Sequence, residues 1–292
     1  MKTLFNILKG TFLCSLLFLS LNARSLEHIQ EEGNIIVAIY ENFPPYSYIE
    51  DGIEKGIDID IAKAIAKKMG VQPKWYWTGS DESLDDDLRN IIWKGNLIHK
   101  TKADVMFRVP FDYEYIREQD VSTGELTNEL VVMKSPYHAE RWVIATNKEY
   151  LPEIRNLANL KAHTVGVEID TLPDAHLTSS FAGSLRQNIK HYRDIKDAAQ
   201  DLIDGKIDAV AGLKSQLEFY LDFNNNKDKY YMTNGIDYVK TKWDLGVAVR
   251  TDFRALSYEI DGFMSELFRN GTIKDIFSKY KVSYEQPLVY QE

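Results

Sequence analysis

The side chains best suited to chemistry in this chain are suited to holding a molecule rather than to breaking a bond. Arg108 and Arg117 each carry a planar guanidinium, the natural bidentate clamp for a carboxylate, so either is a candidate anion anchor. Residues 168–174, EIDTLPD, have the makings of a helix start, with Pro173 suited to the first helical position and Asp170 or Thr171 to the cap. Free N–H groups at such an end attract anions, whereas the acid at Asp170 favours a cationic group. Phe43-Pro44-Pro45-Tyr46 forms an aromatic loop, and Phe43 and Tyr46 are candidates to line a small-molecule site. The six histidines, His28, His99, His138, His163, His176 and His191, share no helix-face spacing, so no metal site is expected. The single cysteine, Cys14, has nothing to pair with. An acidic run over 81–87 lacks the central glycine and terminal glutamate of a calcium loop and reads as the charged first turns of a helix. No Ser/His/Asp or His–carboxylate pair is brought together, so neither catalysis nor a cofactor is expected.

Alternating strands and helices must position these groups. Ile35 to Ile39 is a β-branched run that predicts a buried strand emptying into the aromatic loop, and apolar spacing from Ile57 to Met69 predicts a helix stopped at Gly70. In an open parallel sheet ligands collect where strands end in such loops, which is where Phe43, Tyr46 and Tyr48 stand. Residues 71–77 read as a second strand, and Leu84, Leu88, Ile91 and Ile92 as the apolar stripe of a helix. The strand over 104–110 contains Arg108, and its exit through Phe111 adds Asp112 to the candidates. Residues 118–130 lengthen the next connection into a loop or hairpin. Strands are expected at 131–133, 141–145, 163–167, 207–211 and 245–249, and helices after Pro173, at 198–203, from Gln216, and at 255–269 and 274–280.

Length, charge and the first residues set the compartment. A chain of 292 residues with 44% hydrophobic and 27% charged composition holds one large or two moderate domains. A net charge of −9 without a basic cluster excludes nucleic acid as a partner. Lys2 and Lys9 precede an apolar run from Phe12 to Leu21, too short for a bilayer span of about 20 residues, so 1–24 reads as a secretory signal peptide. Cys14 lies in mid-run and leaves with it, and the exported protein is expected to be a periplasmic monomer.

Residues 40–70, YENFPPYSYIEDGIEKGIDIDIAKAIAKKMG, resemble the opening of the family 3 extracellular solute-binding proteins, the periplasmic receptors of polar amino-acid importers. Gly56, Asp58, Asp60, Ala62, Ala64, Ile65 and Ala66 match the family's G-x-D-x-D-x-A-x-A-I-A, with Asp58 and Asp60 read as first-turn acids favoured by the helix dipole. Ser135-Pro136-Tyr137, the GVAVRTDF of 246–253 and the Asn270-Gly271-Thr272 ending extend the resemblance over 33–282. It implies an α/β fold of the type II periplasmic-binding-protein kind, two α/β lobes joined by two crossing segments. Lobe 1 would comprise 25–141 plus 245–292 and lobe 2 142–244. The function implied is that of the substrate-binding component of an ABC importer, with a small-molecule ligand and an ABC permease as partners.

The binding residues depart from the family pattern. Where the family has an ammonium-gripping aspartate just past a strand, this chain has Leu213 followed by Lys214. The Gly-Ser/Thr-Thr carboxylate receiver is Asp170-Thr171-Leu172, and Arg117 stands one residue beyond the family arginine. A small polar solute other than a standard amino acid is therefore expected, because an ammonium desolvated without a partner is costly. The D-V-M-x-x-V-P strand, Asp85-Asp86-Asp87-Leu88-Arg89-Asn90 and the long connection resemble the branch associated with periplasmic quinoprotein alcohol dehydrogenases. That likeness implies the alternative of an accessory protein with such a dehydrogenase as partner. An enzyme on this scaffold, such as a dehydratase, would need a paired acid and base in the cleft.

Overall fold

A computed structural model describes residues 24–81, 83–96, 100–119, 123–233 and 241–291. The expected leader up to residue 23, with Cys14, lies outside them, as do His99 and the 234–240 part of the return path. After helix α1 (Leu26–Glu32), the apolar run forms β1 (Asn34–Tyr40). The aromatic loop leads to a hairpin of β2 (Tyr48–Glu50) and β3 (Ile53–Lys55), turned at Asp51-Gly52, and then to α2 (Ile57–Met69). Gly56, at the junction, has φ 138°, and a Cβ there would lie 2.0 Å from the Tyr46 carbonyl oxygen, so only glycine lets the loop close on the helix start. β4 (Gln72–Thr78), α3 (Leu84–Leu88) with a π-helical turn Arg89–Trp93, β5 (Val105–Phe111) and α4 (Tyr113–Ile116) follow.

The chain then crosses along β6 (Val131–Asn147) and builds β7 (Val165–Glu168), α5 (Leu172–Gly183), β8 (Ile189–Tyr192), α6 (Ile195–Ile203), β9 (Ala209–Leu213), α7 (Lys214–Tyr220) and β10 (Tyr230–Met232). It returns along β11 (Lys242–Arg250) to α8 (Arg254–Arg269) and α9 (Thr272–Lys279). Strand order is β4-β1-β5-β11-β6-β9-β7-β8, with β10 also on β6. β1 runs parallel to β4 and β5, and β7 parallel to β8 and β9, while β6 and β11 are antiparallel to each other in the middle. The result is a two-lobed α/β molecule with helices on both faces of each parallel block.

Period-2 alternation sorts each strand between two cores. Ile35, Val37 and Ile39 pack with α2, α8 and α9, whereas Ile36 and Ala38 pack with Leu88, Ile91 and Ile92. In the other block Val143, Ala145 and Val210 meet α6 and α7, and Val165, Val167 and Ala211 meet Leu177 of α5. The apolar runs at 131–133 and 141–145, expected as separate strands, are one continuous strand of 17 residues. Pro136 is accommodated because the β6–β11 register breaks there, shifting from Leu245↔His138 to Val247↔Lys134. The β2–β3 hairpin, α4, β8, β10 and α1 lie outside the expected elements; each is short, and β8 and β10 find their strand partners only through tertiary pairing.

Arg24, expected as the last residue of the leader, is instead part of the folded body. It is 6% exposed, its guanidinium pairs with Asp104 at 2.5 Å and also with Glu32, and its backbone N–H donates to Asp104 Oδ1 at 3.1 Å. Asp104 in turn accepts the Ile36 N–H at 2.7 Å, so Arg24 neutralises a carboxylate that holds β1 beside β5.

Candidate functional site

Strands whose carboxyl ends face the same gap supply the site. β1 delivers Phe43, β4 delivers Ser80 and Asp81, β7 ends in Glu168 and hands on to Asp170 and Thr171, and β9 ends in Leu213, with Gln216 one turn into α7. Together with Ile195 and Trp243 they line a cleft of about 930 Å³. Gly212 forms part of its wall, where a Cβ would come within 2.7 Å of Ile195 Cδ1.

The charge of this lining is one-sided. Asp81, Glu168 and Asp170 are acidic, and among the described lining residues there is no lysine, arginine or histidine. Burial, reinforced by repulsion from Asp194, pushes Glu168 up to about 7, although the Ile195 N–H donates to it. A positive group entering the cleft relieves that penalty. The start of α5 is a poor anion receiver. Pro173 has no N–H, Thr171 Oγ1 accepts from Asp174 N at 3.4 Å while donating to the Glu168 carbonyl at 2.7 Å, and Asp170 adds a negative charge at φ 61°.

Of the expected site residues, Phe43, Asp170, Thr171 and Leu213 line the cleft. Tyr46, Arg108, Asp112, Arg117 and Lys214 do not, each for a structural reason. Tyr46 is fully buried in the core beneath Phe43. Arg108, at φ 64° and 8% exposed, points inward, its guanidinium carbon 3.9 Å from the Tyr46 ring centre and 4.4 Å from that of Phe43. Tyr46, Glu140 and Asp58 keep it charged against the cost of burial, and its Nη1 has no hydrogen-bond partner. Asp112 caps α4 by accepting from Glu114 N at 2.8 Å. Arg117 is exposed and lies over the Tyr113 ring. Lys214 is committed to Glu285 at 3.0 Å and Glu218 at 3.2 Å.

Asp58, read as a first-turn acid favoured by the helix dipole, is buried and receives the Tyr137 hydroxyl at 2.7 Å; burial pushes it up to about 7 despite Arg108. Asp60 is the half-buried partner of Lys279 and Tyr280. In the long 118–130 connection, Gln119 bridges to Leu126 and Thr127 N donates to the Glu118 carbonyl at 2.9 Å, so its described part is a small hairpin. Among the cleft residues absent from the sequence expectations are Glu168, Asp81, Gln216 and Trp243. A signal existed for Glu168 alone, as an acid closing an apolar strand at its carboxyl end.

Comparison with known proteins bears on this geometry. The model of the bacterial extracellular solute-binding proteins, family 3, matches residues 35–283. The L-arginine-binding protein of Pseudomonas aeruginosa is 24% identical over 277 residues, covering 90% of this chain and 93% of that protein. The ABC transporter arginine-binding protein 1 of Escherichia coli is 23% identical over 247 residues, covering 82% and 86%. The fold is shared with AncCDT-1, described as an ancestral cationic amino acid solute-binding protein, at a TM-score of 0.65 and 19% identity over 87% of this chain and 98% of that one. Another structure of AncCDT-1 is described as a precursor of cyclohexadienyl dehydratase, so this fold by itself does not separate receptor from enzyme. None of these relatives is described as an accessory of a quinoprotein dehydrogenase, and that narrower resemblance draws no support from them. With 249 of its residues under one family model and the strand ends of both lobes facing a single cleft, the chain belongs to the bacterial extracellular solute-binding proteins, family 3.

Proposed function

We propose that this protein is the periplasmic receptor of an ABC importer, with lobes at 25–141 plus 245–292 and 142–244, and that its solute is a small organic cation bound without an α-carboxylate. The observation that carries the reading is the lining of three acids and no described basic side chain. The amine or guanidinium would lie between Glu168 and Asp170, with Phe43 and Trp243 against its apolar part. Arginine binding by the two curated relatives agrees with a cationic group. The absence of a usable anion receiver argues for a ligand other than a standard amino acid. Arg108 becomes an anion anchor only if Phe43 swings off it, which is the route by which a zwitterion would be held. A quinoprotein accessory role has no observation in its favour, and among the described lining residues no His–carboxylate pair argues for an enzyme.

Calorimetric titration with L-arginine, with agmatine, which is arginine without its carboxylate, and with L-glutamine tests the reading. Agmatine is expected to bind at least as tightly as L-arginine, and L-glutamine not to bind. L-arginine binding tenfold or more tighter than agmatine would overturn the carboxylate-free reading, and silence from both cations would overturn the cationic one.

A further inference from the structure

Glu140 lies on β6 where the chain passes from one lobe to the other, and it is 1% exposed. Its Oε2 accepts the Tyr46 hydroxyl at 2.7 Å and also the Ser215 hydroxyl, while Oε1 accepts the Arg141 N–H at 2.9 Å. Tyr46 belongs to the loop that carries Phe43 into the cleft, the two rings standing 6.3 Å apart. Ser215, also 1% exposed, sits between Leu213 and Gln216, which line the cleft from the other lobe. Trp243, a third lining residue, is the register partner of Glu140 on β11. A single buried oxygen thus receives a hydroxyl from each wall of the cleft, yet Glu140 itself does not reach it.

We propose that Glu140 is a positioning residue that couples the two walls of the cleft, so that displacement of one lobe is transmitted to the other through the shared Oε2. The chemistry of the position favours a carboxylate. Three donors converge on its two oxygens, and an amide in the same place, with one oxygen and one NH2, would set a donor against a donor. Removing a shared acceptor strands buried hydroxyls, whereas removing one donor frees one wall and leaves the other attached. Arg108 packs its guanidinium on the Tyr46 ring and supplies the buried countercharge, which anchors the node on the first lobe. The inference does not depend on which solute the cleft takes.

Its test is made without any ligand. Spin labels at the exposed positions Lys67 on α2 and Lys196 on α6, in a Cys14→Ser background, report the inter-lobe distance by double electron–electron resonance. Ser215→Ala and Tyr46→Phe each remove one hydroxyl and nothing else. Each is expected to broaden the distance distribution at least twofold, and the double variant to broaden it no further than the larger single one, because both bonds act through one oxygen. An unchanged distribution in both variants overturns the proposal, including the case in which only the melting temperature falls, and so does additive broadening. Should Tyr46→Phe fail to fold, Ser215→Ala decides alone. Failure of the unmodified protein to bind either cation in the titration above, with both variants still broadening the distance distribution, would count against the solute assignment and leave this coupling standing.

Discussion

Glu168 is where charge, burial and exposure to the cleft meet, so its titration is the most direct reporter of what the site binds. Its pKa of about 7 stands above the ordinary 4.5, which means the folded protein favours the protonated form. A cation needs the ionised form. Affinity is therefore expected to fall as pH drops through about 7, by up to about tenfold per unit, with proton release on binding below that point. Calorimetry in buffers of different ionisation enthalpy checks this, and Glu168→Gln should weaken agmatine at pH 8 and flatten the profile. In the ligand-free protein the same shift works in reverse. Its stabilising contribution is full below about 4.5 and is lost as pH rises through about 7, so Glu168→Gln should raise the melting temperature at pH 8 and leave it unchanged at pH 4. Screening at this half-exposed site limits the gain to about 1 kcal/mol. Phe43 and Tyr46, alike in sequence, should separate in thermal melts. Phe43→Ala removes ligand-induced stabilisation with the ligand-free transition within a few degrees, while Tyr46→Ala opens a core cavity worth about 3–5 kcal/mol.

Elements here depend on single residues at their ends. Gly56 separates the β2–β3 hairpin from α2 at a backbone angle that an L-residue tolerates poorly, and its missing Cβ is the space occupied by the Tyr46 carbonyl. Gly56→Ala is expected to cost about 3 kcal/mol or more in a denaturant titration, through displacement of the aromatic loop, and to lower cation affinity with it. At the amino end, Arg24→Ala leaves Asp104 buried beside Ile36 without its cation, at a cost of about 3–5 kcal/mol. Processing that preserves the ion pair must cut at or before residue 24. Amino-terminal sequencing of exported protein is expected to begin no later than Arg24; a start at Ser25 or beyond would contradict the role assigned to this pair.

For the molecule as a whole, two parallel blocks joined by β6 and β11 allow one lobe to turn on the other, and a ligand bound by both would stabilise the closed state. A cation at a hundred times its Kd should add about 2.7 kcal/mol to stability and reduce the radius of gyration in solution scattering, whereas a neutral solute at equal concentration should do neither. The C-terminal segment sits on the same hinge. Glu285, held at about 2 by Lys214 and Arg141 against the cost of burial, also contacts Lys242, so it binds residues on both crossing strands and on α7.

Most of the architecture was already legible in the residues. Alternating β-branched runs, helical stripes and glycine stops carry their own periods, and these placed β1, α2, β4, β5, α6, α8 and α9 within a few positions of where they stand. The family resemblance over 33–282 then supplied the two lobes and the two crossings, while the order of the strands came from the structure. Local pattern pointed to Phe43, Asp170 and Thr171 and the family resemblance to Leu213, and all four line the cleft, whereas Asp112 and Lys214, equally close past strand ends, are drawn away by a helix cap and by ion pairs. Which way a side chain turns at a left-handed residue such as Arg108, whether Asp58 meets water or Tyr137, and that Tyr46 and Ser215 share one oxygen of Glu140 were decided by tertiary structure alone. Those contacts join residues 75 to 94 positions apart, and nothing in the immediate neighbours of a residue encodes a partner at that distance until the lobes have packed.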